Sequence, residues 1–311
     1  MIAVDMQRAM FMVQTATSLG LLWSLMAIGV YLTFRILETP DLSVEGTIIL
    51  GAASAAAMVS RGGDPFLATL LAMFAGCLGG LVTGILHTKF KIPSILAGIL
   101  TMVASYSVVI RIMGTSNVPL PPHGPQRVFS IFTVFQEMGL TRQWSITLLG
   151  GIVVAIVCAL LYWFFGTEIG NAIRATGNNR QMVKAQGVNT DVMIILCLMI
   201  SNSLVGLAGA MVAQSQGFAS VDMGSGTIVI GLASVIIAEV LFRVRSFWGR
   251  LLSLVAGGII YRLIIALVLE MGMRPTDLRL FQAITVAVAL TLPLIRDKLG
   301  KMAGKPSGKG V

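Results

Sequence analysis

Long apolar runs recur along almost the whole chain, and nothing else in the sequence constrains its fold as strongly. Nine stretches are candidate membrane spans: Phe11–Phe34, Thr47–Val59, Pro65–Leu86, Ser94–Met113, Ser145–Phe165, Val192–Val212, Thr227–Phe242, Trp248–Leu269 and Phe281–Ile295. A helix of about 20 apolar residues crosses the hydrocarbon core because it bonds all of its own backbone N–H and C=O groups. The runs are continuous rather than alternating, which argues against a transmembrane barrel. The expected fold is therefore all-α: a polytopic transmembrane helical protein of about nine spans, with a range of eight to ten. Thr47–Val59 and Thr227–Phe242 fall short of a perpendicular crossing and predict broken, tilted or re-entrant helices.

Only 11% of residues are charged, against about a quarter in a soluble domain. The net charge of +9 does not imply nucleic acid, because cytoplasmic loops of such proteins concentrate Lys and Arg. With the polar stretch Gly170–Asp191 placed inside, 14 of the 22 basic residues fall inside and 7 outside, and Arg262 lies within a span. All seven lysines are on the inside. This predicts an outside N-terminus and a cytoplasmic C-terminus. No cleavable signal is expected, because the first apolar segment is too long for one. Cys77, Cys158 and Cys197 lie in apolar spans and read as small buried hydrophobes; His87 and His123 are far apart and suggest no metal site.

The organisation expected is one membrane domain, 1–296, and a basic cytoplasmic tail, 297–311. Two polar excursions interrupt it: a proline-rich external loop, 114–144, and a cytoplasmic loop, 167–191. Gly76, Gly80 and Gly84 recur every four residues and predict a helix face for close packing within the subunit.

Ionisable groups near or within spans are functional candidates. Asp41 or Ser43 reads as a cap of the second span, with Glu45 favouring the positive end of its dipole. These three, together with Asn202 and Gln214, either hold helices together or line a translocation pathway. Glu239 is expected to pair with Arg243 one turn on. Enzyme chemistry finds no support: HExxH, GxSxG, paired-cysteine and GxxxxGK[ST] motifs are all missing, so any ATP must be bound by another chain. Central carboxylates are too few for an ion-coupled carrier, which is the alternative from a different class; a membrane enzyme or scaffold is a third.

Gly170-Asn-Ala-Ile-Arg-Ala-Thr-Gly-Asn-Asn179, followed by Ala185-Gln-Gly-Val-Asn189, resembles the cytoplasmic loop of ABC importer permeases of the ribose and branched-chain amino-acid class. Asp41-Leu-Ser-Val-Glu-Gly46 resembles a second motif of that class, and Lys91-Ile-Pro93 a third. The resemblance implies that Gly170–Gly187 is a coupling helix seated in a groove of a cytoplasmic ABC ATPase subunit. Gly170, Arg174, Ala175, Gly177, Asn178, Arg180 and Gly187 would form it, with Arg174 meeting acidic or carbonyl groups of the partner. It also implies no cofactor on this chain, with ATP and Mg on the ATPase. An extracytoplasmic solute-binding protein, a homodimer of the permease embedded in lipid, and a bacterial inner-membrane location complete the implied picture. Sugar permeases of the class have one further N-terminal span, and their Gly-Gly after the seventh span is replaced here by Ala238–Arg245. Asp41–Gly46 and Met223–Leu232 are most similar to the tryptophan or tyrosine uptake subgroup. The implied solute is an amino acid, an aromatic one included; a sugar or nucleoside is the alternative.

Overall fold

The computed structural model describes residues 2–120, 130–242, 244–272, 277, 280–285, 287–288 and 291, with no side-chain detail for 2–9. Among these, seven helices are long and apolar enough to cross a membrane, and an eighth apolar helix, Val44–Val59, is shorter. The expected ninth span, Phe281–Ile295, lies largely outside the described residues, as does the tail 297–311.

Helix α1 (Ile2–Tyr31) runs on through a π-helical turn, Leu32–Ile36. An irregular stretch then leads into α2 (Val44–Val59). Helix α3 (Pro65–Thr88) starts where Asp64 accepts from Phe66 N–H at 2.8 Å and Leu67 N–H at 3.0 Å, with Pro65 at its first position. Helix α4 (Ser94–Met113) follows Pro93 and stops at Gly114. A short α5 (Thr133–Glu137) precedes α6 (Arg142–Phe164). Helices α7 (Glu168–Asn178) and α8 (Arg180–Ala185) form the polar loop. The long α9 (Thr190–Gln216), α10 (Thr227–Leu241) and α11 (Phe247–Glu270) complete the set.

Helix α9 lies at the centre, packed against α1, α2 and α3, while α11 packs against α1 and α10. Apolar side chains point outward from α3 (Phe66, Leu70, Phe74) and α6 (Trp144, Leu148, Ile152). Such faces suit a hydrocarbon solvent rather than water.

The glycine stripe of α3 packs within the subunit, as its spacing predicts. Gly76 lies on the Asn202 carbonyl, Gly80 on that of Leu198 and Gly84 on Ile195. Each step down α3 meets the preceding turn of α9, so the two run antiparallel at close approach. Gly80→Ala would drive a methyl into a backbone carbonyl that has no rotamer to yield. It is expected to cost about 1–3 kcal/mol, read as a lower melting temperature of the detergent-solubilised protein. The open-faced Gly151, with nothing near its Cβ position, serves as a neutral control.

The all-α expectation needs one amendment. Two short strands, β1 (Asn117–Pro119) and β2 (Phe218–Ser220), pair antiparallel with Asn117 opposite Ser220. They join the loop after α4 to the glycine-rich segment after α9. That segment is built as β2 followed by a 3-10 turn, Val221–Gly224, rather than as a flexible connection.

Candidate functional site

Of the two helices that looked too short in sequence, α2 is short in the structure, whereas α10 with the preceding 3-10 turn spans Val221–Leu241; the two helices begin side by side. Asn202 lies near the middle of α9 and binds the start of α2 with its whole amide group. Its Nδ2 donates to Asp41 Oδ2 at 2.8 Å and to the Leu198 carbonyl at 3.1 Å. Its Oδ1 accepts from Thr47 Oγ1 at 2.7 Å and Ser43 Oγ at 3.2 Å. Asp41 Oδ1 accepts the Ser43 N–H at 2.8 Å. Helix α2 thus starts level with the middle of α9. Its 16 residues reach about 24 Å, less than the hydrocarbon thickness.

Helix α10 starts at Gly226 in a left-handed conformation and has no cap of its own. Glu45, in the first turn of α2, supplies one: Oε1 accepts the Gly226 N–H at 3.0 Å, and the Ile228 N–H also faces the carboxylate. A carboxylate at the positive end of a helix is well placed. Discontinuous helices that meet inside a membrane in this way are the usual builders of transport pathways.

Of the five pathway candidates, only Glu45 reaches an open surface. Asp41, Ser43 and Asn202 are at most 1% exposed and lock α2 to α9. Gln214 is also buried, receiving the Ile131 N–H at 2.8 Å and donating to Thr69 at 3.0 Å. It ties the segment at Ile131 to α3. Their polarity is spent on helix–helix contacts, which are satisfied atom by atom.

The polar loop 167–191 is a capped two-helix unit. The Thr167 side chain receives the Gly170 N–H, Asn179 the Met182 N–H, and Asn189 the N–H groups of Asp191 and Val192. Gly170 sits against Phe164 and Phe165, and Gly177 against the Ile36 carbonyl, both too close for any side chain. Gly187 takes φ +85°, a left-handed turn that suits glycine. Ile173, Thr176 and Val183 face inward, whereas Asn178, Arg180 and Lys184 face out. Ala175 is half-buried. Ile169 and Met182 are each 47% exposed, which leaves two apolar side chains on an otherwise polar outer face.

Arg174 turns inward. Its guanidinium lies 4.1 Å from the Phe247 ring centroid and 5.2 Å from that of Phe165, and its Nε has no hydrogen-bond partner among the described residues. Burial lowers its pKa from the ordinary arginine value; Tyr31 opposes the shift and Arg250 adds to it. The stacked aromatic faces offset part of that desolvation. Arg174 therefore helps seat α7 on α11. Arg180 Nη2 binds Asp191 Oδ1 at 2.7 Å, and Lys91 Nζ lies 3.8 Å from Asp191 Oδ2. The Lys91-Ile-Pro93 motif and the loop thus meet at one carboxylate.

The expected partner of Glu239, Arg243, lies outside the described residues. Arg35 binds Glu239 bidentately, Nε to Oε1 at 2.7 Å and Nη2 to Oε2 at 2.8 Å. The sequence marks Glu239 as an acid near a span end, but nothing in it points to a partner 204 positions away. Within α11, Arg262 stacks 4.3 Å from the Trp23 ring centroid. No group of three or more His, Cys, Asp or Glu suited to a metal occurs among the described residues.

Over residues 12–292 the chain matches the family described as branched-chain amino acid transport system / permease component. It is 40% identical over 286 residues to the tyrosine transport system permease protein of Clostridioides difficile, covering 92% of each chain. An uncharacterized protein of Rickettsia prowazekii is 29% identical, over 89% of this chain and 96% of its own. An autoinducer 2 import system permease protein of Yersinia pseudotuberculosis is 24% identical, over 70% of this chain and 58% of its own. No solved structure matches. The chain belongs to the branched-chain amino acid transport system permease family.

Proposed function

We infer that this chain, a multi-pass inner-membrane permease of an ABC transport system, moves an amino acid inward, tyrosine or another aromatic one. The observation that carries the solute is the 40% identity, over 92% of both chains, to a permease named for tyrosine transport. In this reading a solute-binding protein delivers the solute outside, and two copies of the chain enclose the pathway beside Glu45. Hydrolysis takes place on a separate ABC ATPase, which carries ATP and Mg. The nine-span count, the outside N-terminus and the cytoplasmic tail 297–311 belong to the same proposal, supported by the bias of lysines and arginines.

The outer face of α7 and α8 supports the ATPase contact: Ile169 and Met182 are apolar and exposed, beside Lys184. An apolar anchor with a charged rim is what a protein interface needs. Ile169→Asp with Met182→Asp is expected to lower co-purification of the ATPase by about tenfold or more, while the permease itself stays folded. Undiminished co-purification would remove this face as the docking site. Uptake of labelled tyrosine by the reconstituted complex, set against ribose, a nucleoside and leucine, tests the solute. Uptake of a sugar alone would sink the amino-acid reading, and uptake without ATP would sink the class of mechanism.

A further inference from the structure

The coupling loop connects to the half-helix α2 through a series of joints, and α10 is the long member of that series. At one end, α7 lies against the π-helical turn, with Gly177 on the Ile36 carbonyl. Within that turn Arg35 holds Glu239, in the last turn of α10, by two contacts of 2.7 and 2.8 Å. At its other end, α10 offers the Gly226 N–H to Glu45 of α2 at 3.0 Å. Helix α10 has 15 residues, about 22 Å, and each of its ends is joined to a neighbour through a carboxylate.

Its flanks are equally confined. Gly231 sits on Val30 of α1, and Gly257 of α11 sits on the Ser234 carbonyl. A helix packed this closely does not bend to absorb a push; it moves as a body. A bidentate Arg–carboxylate pair fixes orientation as well as distance. The pair also adds little to stability: the Arg35 and Glu239 side chains are 59% and 38% exposed, where ion pairs contribute about 0–1 kcal/mol. Its value therefore lies in geometry rather than in holding the fold. Single-turn π-helical segments such as Leu32–Ile36 recur at functional positions.

We propose that α10 is a strut that carries the displacement of α7 to the start of α2, with Arg35, Glu239 and Glu45 as its positioning residues. This rests on the reading of α7 and α8 as the ATPase contact. Movement of α7 shifts the π-helical turn. Arg35 passes that shift to Glu239, α10 translates, and its N-terminus pulls Glu45 and the first turn of α2, where the pathway begins.

The test uses the complete complex, permease with its ATPase and binding protein, in proteoliposomes, and reads solute taken up per ATP hydrolysed. Arg35→Gln and Glu239→Gln are each expected to retain the ATPase and its hydrolysis while uptake per ATP falls about tenfold. The exchanged pair, Arg35→Glu with Glu239→Arg, is expected to recover most of that loss. Glu45→Leu, which removes the other joint, is expected to lower the ratio similarly. Wild-type ratios in both Gln variants would overturn the proposal, as would an exchanged pair no better than the single variants. If a single variant does not accumulate, the exchanged pair decides alone: transport supports the strut and its loss refutes it. A wild-type complex that fails to assemble or to transport refutes the coupling reading of α7 and α8 instead, so the two failures are distinguishable.

Discussion

Asp41→Ala is expected to destabilise the protein by about 2–6 kcal/mol, because it strands two buried donors at about 1–3 kcal/mol each. The donors are the Ser43 N–H and Asn202 Nδ2, both of which Asp41 accepts at 2.8 Å. No water-facing side is available to replace it, since Asp41 is 1% exposed and Asn202 is 0% exposed. Asp41→Asn is the informative companion: it keeps one carbonyl oxygen for the Ser43 N–H but sets an amide NH2 against the Asn202 NH2. Its loss should fall between wild type and alanine. Melting of the solubilised protein measures the series, and an alanine variant that melts with wild type would show that this network does not hold α2. Transport by the surviving fraction at low temperature separates stability from pathway chemistry.

Gly177→Val is expected to abolish ATP-driven uptake, or reduce it at least about tenfold, with the ATPase still bound. Even a Cβ at residue 177 would overlap the Ile36 carbonyl, so α7 must lift away from the π-helical turn. Ile169 and Met182, the exposed apolar side chains proposed to meet the ATPase, do not touch the Ile36 carbonyl contact and are left unchanged. Hydrolysis without transport is then the expected signature. Gly187→Ala is the matching control, because open space surrounds that residue and only its left-handed φ of +85° resists the change. That strain costs about 1–2 kcal/mol without moving α7. Equal uptake by the Gly177→Val and wild-type complexes would remove this contact from the coupling route.

What was legible in the sequence was whatever depends on local pattern. Ser94–Met113 is a helix with the bounds its hydropathy gives, and Pro65–Thr88 differs from its expected span by two residues at one end. The short length of Thr47–Val59 was legible, and Val44–Val59 is the one apolar helix among the described residues that falls short of a crossing, whereas Thr227–Phe242 is extended by the preceding 3-10 turn to Val221–Leu241. The polar loop was legible too, because Thr167, Asn179 and Asn189 are capping residues at suitable spacing. What was hidden depends on contacts between distant positions. Glu45 caps a helix 181 residues away, and Arg35 reaches Glu239 across 204. The stacking of Arg174 was hidden for a related reason: a basic residue in a polar loop looks solvent-facing unless Phe165 and Phe247 are known to flank it. The β1–β2 ribbon needs two segments a hundred positions apart, neither of which looks like a strand alone.

The side-chain caps of α7 and α8, with the cap of α9 that closes the loop, have a consequence for the docking proposed there. A loop that becomes ordered only on its partner gives up conformational entropy at the moment of binding, about 1–2 kcal/mol for each residue fixed. Here that cost is met during folding of the permease, by Thr167, Asn179 and Asn189. Docking then resembles the meeting of two finished surfaces, with affinity set by the few exposed side chains rather than by disorder. A partner can leave and return without unfolding the element it holds, so the permease can wait, folded and ready, for each new association.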